Sequence, residues 1–165
     1  SYGFNRAENL SDYRTSEELV MELIDVVSRG GNFLLNVGPT ADGRIPVIMQ
    51  QRLKDIGDWL NVNGEAIYGS SAWIHPAANS RKEKGLYFTR KGKDLYVICR
   101  GWPKTPVYIE EIPDTEGVSV RMLGVEKSVD WKKEGRGLLV EMPPVSPDEI
   151  PCRFAYVIKI SGILH

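Results

Sequence analysis

The chain has 165 residues, of which 42% are hydrophobic and 26% charged, so it can form one ordinary domain or two small ones with a sizeable core. Its formal net charge of −1 makes no electrostatic case for a nucleic acid or an anionic membrane as a partner. No apolar run approaches the roughly 18 residues that a membrane span needs. We therefore expect no nucleic-acid partner and no membrane insertion.

The sequence offers few residues for metal or nucleophilic chemistry. Cys99 and Cys152 lie far apart in the sequence, in predicted strand regions, and two buried free thiols are favoured over a disulfide. His75 and His165 are the only histidines, so a Ser-His-Asp triad has to rest on His75 and a multi-histidine metal site is excluded. We expect no metal and no other cofactor.

The first thirteen residues show no periodicity. Within them, Asn9-Leu10-Ser11 fits the pattern of an N-glycosylation acceptor. The motif is short, and nothing else in the sequence indicates secretion from a eukaryotic cell, so the pattern carries little weight at this point.

A helix is predicted to begin after Thr15. Thr15 and Glu18 have the spacing of a capping box, in which each side chain accepts a hydrogen bond from an N–H group of the first turn. Gly30 is expected to end the helix in the left-handed conformation. The apolar residues between these ends form one wide stripe: Leu19, Val20, Leu23, Ile24, Val26 and Val27.

Phe33 to Val37 is predicted to be a strand buried on both faces, because it is short, apolar and preceded and followed by glycine. Asn36 interrupts the apolar run near the strand's exit, where a buried amide must find hydrogen-bond partners. Those partners belong either to the following turn or to a ligand at the mouth of the strand. Asn36 is thus a candidate substrate-binding residue. The alternative is a structural role, in which its amide holds the following turn. The turn-rich loop after it is not a P-loop, because no Lys-Ser/Thr follows the glycines.

A second helix is predicted from Pro46 to about Val62. Proline suits the first turn of a helix, and Asn63-Gly64 suits its end. Four apolar residues recur on one face of this helix: Met49, Leu53, Ile56 and Leu60.

After about Ser70 the pattern changes to short strands separated by glycine, proline or charged turns. Lys91-Gly92-Lys93-Asp94 is expected to be the turn of a hairpin. The absence of helical periodicity indicates an antiparallel β-sandwich. The predicted strands are Leu86–Arg90, Leu95–Arg100, Val107–Ile112, Val118–Leu123, Ser128–Trp131, Leu138–Met142 and Phe154–Ile160.

The first half contains too few strands to form a sheet by itself, since two strands alone are only marginally stable in water. The predicted fold is therefore α/β plus all-β: the last βαβα elements of a (β/α)₈-like barrel, followed by an antiparallel β-sandwich. We expect residues 1–70 to be the incomplete end of the barrel and residues 71–165 to be the sandwich. The earlier barrel strands are expected upstream of Ser1.

Three blocks of the sequence closely resemble the C-terminal part of the α-L-fucosidase family of glycoside hydrolases. They are Ser1-Tyr2-Gly3-Phe4-Asn5, the stretch from Gly30 to Gly43 with the sequence GGNFLLNVGPTADG, and Trp59-Leu60 with Asn63-Gly64-Glu65-Ala66-Ile67-Tyr68. Their order and spacing also match, and the resemblance covers essentially the whole chain.

The resemblance implies a retaining exo-glycosidase that removes terminal α-L-fucose from glycans, without a metal or another cofactor. Retention requires two carboxyl groups about 5–5.5 Å apart, one acting as nucleophile and the other as acid/base. The family's aspartate nucleophile and its acid/base both precede the first block, so we expect them upstream of Ser1 and no catalytic residue in this chain. The expected partners are fucosylated glycans or small fucosides. The missing barrel portion, or self-association, is expected to cover the exposed barrel elements.

The resemblance also bears on single residues. Tyr2 stands where relatives usually carry Trp or Phe, and it is a candidate substrate-binding residue with a packing aromatic as the alternative. Glu8 is a tempting acid/base, but its position past the first block argues against this role. Glu65 is expected to be structural, bound to Arg or backbone N–H groups at the junction of barrel and sandwich, and Asp42 is expected to cap its own turn.

Trp73, Trp102 and Trp131 could form a platform for stacking sugars, but tryptophans of a small sandwich usually fill its core. The competing interpretation of the whole chain is a carbohydrate-binding or structural β-sandwich module without hydrolase activity. An independent hydrolase built on His75 is disfavoured, because no nucleophile-elbow motif is present.

Overall fold

A computed structural model describes residues 3–73, 85–112 and 114–163. These residues form two α-helices, α1 (Ser16–Ser28) and α2 (Val47–Asn63), and short 3₁₀ turns at Leu10–Asp12, Gly64–Ala66 and Pro147–Glu149. The strands are β1 (Ser71–Ala72), β2 (Leu86–Lys91), β3 (Asp94–Arg100), β4 (Val107–Ile109), β5 (Ser119–Met122), β6 (Trp131–Glu134), β7 (Gly137–Val140) and β8 (Ala155–Ser161). No helix within the described ranges is both long and apolar enough to cross a membrane.

Helix α1 has the predicted ends. The Thr15 hydroxyl accepts from the Glu18 N–H, and the Glu18 carboxylate accepts from the Thr15 N–H at 2.7 Å, which completes the capping box. At the other end Gly30 has φ +85°, and the N–H groups of Gly30 and Gly31 bond to the carbonyls of Val27 and Val26. This is a Schellman motif, and only glycine adopts its positive φ without strain.

Helix α2 begins one residue later than predicted, because Pro46 has extended backbone angles and stands just before the first helical residue. Its buried face is carried by Ile56 and Trp59, whereas Leu53 remains 38% exposed and Val47 81% exposed. The apolar face is therefore covered only in the C-terminal half of the helix.

The prediction of a buried strand from Phe33 to Val37 is not met by the described residues. The segment pairs with none of the strands, its side chains alternate between half-buried and exposed, and Leu34 is 90% exposed. A strand exists only with a hydrogen-bonded neighbour, and the described chain places none beside it. The barrel portion of the predicted fold is accordingly not formed by these residues.

The second half folds as predicted into antiparallel sheets. One sheet has five strands in the order β1-β2-β3-β8-β5, and the other has three in the order β4-β7-β6. The β2–β3 hairpin closes at the predicted turn, where Lys91 pairs with Asp94 and Gly92 has φ +58°. Both sheets contribute to one hydrophobic core, which includes Val97, Ile158, Ile109 and Leu138.

The five-stranded sheet is covered on both faces. In β3, Leu95, Val97 and Cys99 point into the core between the sheets, because successive side chains of a strand alternate between the two faces. Tyr96 and Ile98 point the other way and pack against the helices. This second core also contains the α1 residues Leu19, Val20, Leu23 and Ile24, so the apolar stripe of α1 is buried within the chain.

Two strand predictions need correction, and one short strand was not predicted. The predicted Ser128–Trp131 strand is observed at Trp131–Glu134, where charged side chains on an edge strand conceal the apolar pattern. Val107–Ile112 ends at Ile109, because Glu111 has φ +57° and leaves the extended conformation. Ser71–Ala72, which pairs with Arg90 and Thr89, was not predicted.

Candidate functional site

The predicted site residue Asn36 lies on a cleft of about 260 Å³ that also includes Glu8. Asn36 is exposed there, and the cleft lies between the chain before α1, the Phe33–Val37 segment and the first turns of α2. The structure thus brings together two residues that the sequence places 28 positions apart. Tyr2, the other predicted substrate-binding residue, and His75 lie outside the described residues.

The backbone holds two of the three resembling blocks together at this place. A Cβ atom added to Gly38 would lie 2.4 Å from the backbone nitrogen of Phe4 and 2.8 Å from the Cα of Gly3. Only glycine permits so close an approach of two backbone segments. The first block therefore packs directly on Gly38, near the middle of the second block.

The charged groups of the cleft are engaged with the protein itself. The Arg52 side chain donates to the Arg14 carbonyl at 2.8 Å, and the Asp12 carboxylate accepts from the Asn9 N–H at 2.8 Å. Partial burial and a hydrogen bond to the Glu8 carboxylate raise the pKa of Tyr13. The carboxylates of Glu8 and Asp12 thus each accept a hydrogen bond from the protein itself.

Glu65 is fixed by a row of side chains that runs across the five-stranded sheet. Tyr96 and Arg121 are the cross-strand neighbours of Lys159 on its two sides, so the three side chains share one face of the sheet. The Tyr96 hydroxyl donates to the Glu65 carboxylate at 3.0 Å and Arg121 donates at 2.9 Å, while Lys159 donates to it as well. The expectation that Glu65 is bound to arginine is confirmed.

The same row continues to Thr89, which pairs with Tyr96 and is fully buried. Its hydroxyl donates to the carbonyl of Ala66 at 2.7 Å. Four strands therefore hold the turn that follows α2, and this fixes the end of the helix on the sheet. We call Thr89, Tyr96, Lys159 and Arg121 the clamp row.

The charges of the clamp row shift the ionisation of its members. Burial works against the charged form of Glu65, but hydrogen bonds from Lys159 and Tyr96 outweigh it and lower the pKa of that carboxyl group. Burial likewise opposes the charge of Lys159, and the carboxylates of Asp94 and Glu65 outweigh it and raise the pKa of the amine. Lys159 lies 2.8 Å from Asp94. A carboxylate so firmly kept ionised is a poor proton donor near neutral pH.

Asp42 is part of its own turn, as predicted. Its carboxylate accepts from the Thr40 hydroxyl and pairs with Arg44 at 3.0 Å. Gly43 supports the same turn with φ +78° and donates to the Thr40 carbonyl at 2.8 Å.

The three tryptophans pack on the sandwich core rather than forming one platform. Trp73 contacts Phe88 with ring centroids 5.2 Å apart, and Trp102 meets Tyr156 edge to face at 5.1 Å. Trp131 is half-buried against the same core. Aromatic pairs of this kind stabilise a core beyond the area that they bury.

Both cysteines are free thiols. Cys99 is buried in the sandwich core, and burial raises its pKa to about 12, so the thiol stays protonated and inert. Cys152 is half-buried beside Asn63, whose amide donates to its sulfur at 3.3 Å. Among the described residues no three His, Cys, Asp or Glu side chains cluster so that they could hold a metal ion.

Sequence reasoning missed the residues that join the helices to the sandwich. Trp59 is buried in α2, and its indole N–H donates to the Ala155 carbonyl at 2.9 Å. Phe154, the residue before Ala155, has φ +74°. The Ala155 N–H donates to the Arg153 carbonyl at 2.9 Å, so Phe154 is the central residue of a strained γ-turn. The local signal that could have indicated the clamp row is Lys159, a single charged residue within the otherwise apolar β8 sequence.

Comparisons with known proteins agree with this arrangement. The family model described as Alpha-L-fucosidase matches residues 1–65, and that described as Alpha-L-fucosidase C-terminal domain matches residues 78–161. The chain belongs to the α-L-fucosidase family. The resemblance of the three sequence blocks is thereby confirmed.

Two α-L-fucosidase relatives show how much of the family's length this chain represents. It is 39% identical to an α-L-fucosidase of Branchiostoma floridae and 38% identical to the tissue α-L-fucosidase of Homo sapiens, in each case over 99% of this chain. The aligned region is 36% and 35% of those relatives. The chain thus spans about a third of the length of the relatives that it matches.

A solved α-L-fucosidase structure has the same fold over almost the whole chain. The Thermotoga maritima α-fucosidase in complex with fucose superposes with a TM-score of 0.78 at 34% identity, covering 96% of this chain and 37% of the bacterial one. The helices and the two antiparallel sheets described above are therefore an arrangement that this family uses.

Proposed function

We propose that this chain is the C-terminal part of an α-L-fucosidase, a retaining exo-glycosidase that hydrolyses terminal α-L-fucose from glycans. The observation that carries the proposal is the superposition of 96% of the chain on a fucosidase structure that holds fucose. Its substrates would be fucosylated glycans or small fucosides. No cofactor or metal enters the proposed reaction.

The nucleophile and the acid/base would precede Ser1 and come from barrel strands outside this chain. This assignment is supported by the carboxylates that are present. Glu8, Asp42 and Glu65 are held by Tyr13, by the Thr40 turn and by the clamp row, respectively. Each of these three carboxylates already has a partner within the fold, which supports a structural role for them.

Residues 1–70 would complete the catalytic barrel, and residues 71–165 would form the sandwich beside it. The lack of strand pairing of Phe33–Val37 among the described residues supports this division, because Leu34 is 90% exposed and a neighbouring strand and helix would cover it. The clamp row and Trp59 would then join barrel and sandwich. The missing barrel portion is the proposed partner of the exposed face, and self-association is the expected substitute where that portion is absent.

Asn36 and Tyr2 are the proposed contacts to the substrate. Asn36 lies near the exit of the barrel-strand candidate and is exposed on the cleft. A (β/α)₈ barrel binds its substrates at the C-terminal ends of its strands. Tyr2 belongs to the block whose next residues pack on Gly38 at the end of the same segment. The aromatic ring would contact the apolar face of the sugar.

The test is hydrolysis of 4-nitrophenyl α-L-fucoside by two purified samples whose intact masses are measured: this 165-residue chain and the full-length protein that contains it. We expect turnover only by the full-length protein. The first product should be α-L-fucose by ¹H NMR, since a retaining reaction keeps the anomeric configuration.

Each other outcome has a defined meaning. Turnover at the mass of this chain would contradict the assignment of catalysis to upstream residues, and Glu8, Asp42 and Glu65 would be the first to mutate. No turnover by the folded full-length protein would favour a carbohydrate-binding or structural module. Initial formation of the β-anomer would contradict retention.

A further inference from the structure

The segment before α1 contains Asn9. Its side-chain nitrogen has no role in the fold as described or in the proposed reaction. Asn9, Leu10 and Ser11 are all exposed, with Leu10 72% exposed, although a leucine favours burial. No other asparagine of the sequence is followed by Ser or Thr at this spacing. The acceptor motif is therefore unique in the sequence, and all three of its residues are exposed.

The geometry within the motif is specific. The Asn9 Oδ1 atom accepts two hydrogen bonds from Ser11, at 2.9 Å from its backbone N–H and at 2.5 Å from its hydroxyl. The Asp12 carboxylate holds the Asn9 backbone N–H at 2.8 Å. All of these bonds lie within four consecutive residues, so the turn can form before the rest of the chain folds.

These contacts leave Asn9 Nδ2 without a recorded hydrogen bond to any described residue, on an exposed side chain. Two donors on the amide oxygen draw electron density toward it, which makes the Nδ2 protons easier to lose. The structure thus places the hydroxyl of the acceptor motif on the amide whose nitrogen would be modified.

We infer that Asn9 is an N-glycosylation site. The co-substrate is an oligosaccharide linked through C1 to a lipid diphosphate. Asn9 Nδ2 attacks C1 and forms the N–C1 bond, the bond from C1 to the phosphate oxygen breaks, and the lipid diphosphate leaves with the electron pair. The Nδ2 proton passes to a base of the transferase, so no oxidant or reductant is needed. The inference does not depend on the proposed hydrolase activity.

The experiment is secretion of the full-length protein from a cultured mammalian cell line, followed by tryptic peptide mass spectrometry. Cleavage after Arg6 and Arg14 isolates residues 7–14, so modification at Asn9 is read separately from any other site. We expect this peptide to carry an oligosaccharide. Peptide N-glycosidase treatment in H₂¹⁸O should convert Asn9 to ¹⁸O-labelled aspartate.

Matched variants of Ser11 and Asn9 test whether glycosylation depends on the acceptor motif. Ser11→Thr keeps the hydroxyl and should keep the glycan, whereas Ser11→Ala should reduce occupancy to background although Asn9 is unchanged. Asn9→Asp retains an acceptor for the Ser11 N–H, so the turn should persist while the glycan is lost. An unmodified wild-type peptide 7–14 in both the secreted and the cell-retained protein would overturn the inference, and fucosidase activity of the same samples tests the proposed function separately.

Discussion

A single substitution at Asn36 can test its proposed role in substrate binding without disturbing the packing of the core. It is exposed, so Asn36→Ala leaves no buried cavity, but it removes an amide from the proposed substrate side of the cleft. In the full-length enzyme we expect kcat/KM for an aryl α-L-fucoside to fall about 3- to 10-fold, the worth of one neutral hydrogen bond. Asn32 is an exposed asparagine just before the Phe33–Val37 segment, so Asn32→Ala is the control and should leave kcat/KM unchanged.

Glu65 acts in the fold, and its replacement should be measured as stability. Glu65→Gln keeps the side-chain shape but removes the charge that Lys159 and Arg121 share. We expect the free energy of unfolding to fall by about 1–3 kcal/mol in urea titrations, because charged hydrogen bonds at a part-buried site are lost. Glu149→Gln removes an exposed partner of Lys127 and should lower stability less than Glu65→Gln does. Equal costs for the two variants would contradict a special role of the clamp row.

The lowered carboxyl pKa values also predict how the free energy of unfolding declines at acidic pH. Glu65, Asp94 and Asp55 have pKa values below their ordinary range, and that of Glu149 is lowered to about 2. A carboxyl group with a lower pKa in the folded state adds stability above its unfolded pKa, about 4, and loses it as the pH falls through the folded value. The free energy of unfolding should therefore be flat near neutral pH and should decline from about pH 4 toward pH 2. The decline should be shallower in Glu65→Gln, and an identical slope would contradict the assignment.

At the scale of elements, the end of the Phe33–Val37 segment depends on the missing Cβ of Gly38. Gly38→Ala would push a methyl group into the backbone of Gly3 and Phe4, and neither can move as a side chain can. We expect a loss of about 1–3 kcal/mol in stability. The variant should also lose kcat/KM in the full-length enzyme, because the first block would shift at the cleft.

Gly57→Ala is the matched control, since it lies within α2 and a Cβ there meets nothing within 4 Å. It should stabilise the protein by about 0.5–1 kcal/mol through helix propensity. A neutral Gly38→Ala in the same urea titrations would show that the two resembling blocks do not pack as described.

Elements defined by neighbouring residues were predictable from the sequence. The capping box of α1, its glycine end and the Lys91–Asp94 hairpin turn each follow from residues a few positions apart, and all are present. The clamp row was not predictable, because Lys159 lies 94 positions after Glu65 and meets it only through strand register. The positive φ of Phe154 likewise depends on contacts from α2. In the candidate site, the sequence suggested Asn36 as a substrate contact, but it did not show that Asn36 shares a cleft with Glu8.

At the scale of the whole molecule, the helices, the five-stranded sheet and the three-stranded sheet form three layers with two cores. One core lies between the sheets, and the other lies between the larger sheet and the helices. The predicted boundary near residue 70 therefore does not separate two independent cores, since the clamp row and Trp59 link the helices to the sheet. Loss of that link should uncouple the proposed barrel from the sandwich.

The exposed face around Phe33–Val37 supplies the test of the proposed barrel. Leu34 is 90% exposed in this chain, whereas Leu35 packs partly against the helix core. In the 165-residue chain, Leu34→Ala should leave stability within about 0.5 kcal/mol of the wild type, because a surface leucine has little packing to lose. In the full-length protein the same substitution should cost about 2–5 kcal/mol, the range for a buried leucine. Leu35→Ala should fall in this range in the full-length protein as well.

The same face governs self-association of the 165-residue chain. The exposed Leu34 should drive the chain to associate and to bind an apolar dye. Leu34→Glu should reduce both association, measured by light scattering, and dye fluorescence, because it places a charge on that surface. The full-length protein should remain monodisperse with Leu34 intact and should be destabilised by Leu34→Glu, which would bury an unpaired carboxylate. If Leu34→Ala is as mild in the full-length protein as in the chain, no barrel strand covers this segment, and the proposed position of residues 1–70 in a catalytic barrel is wrong.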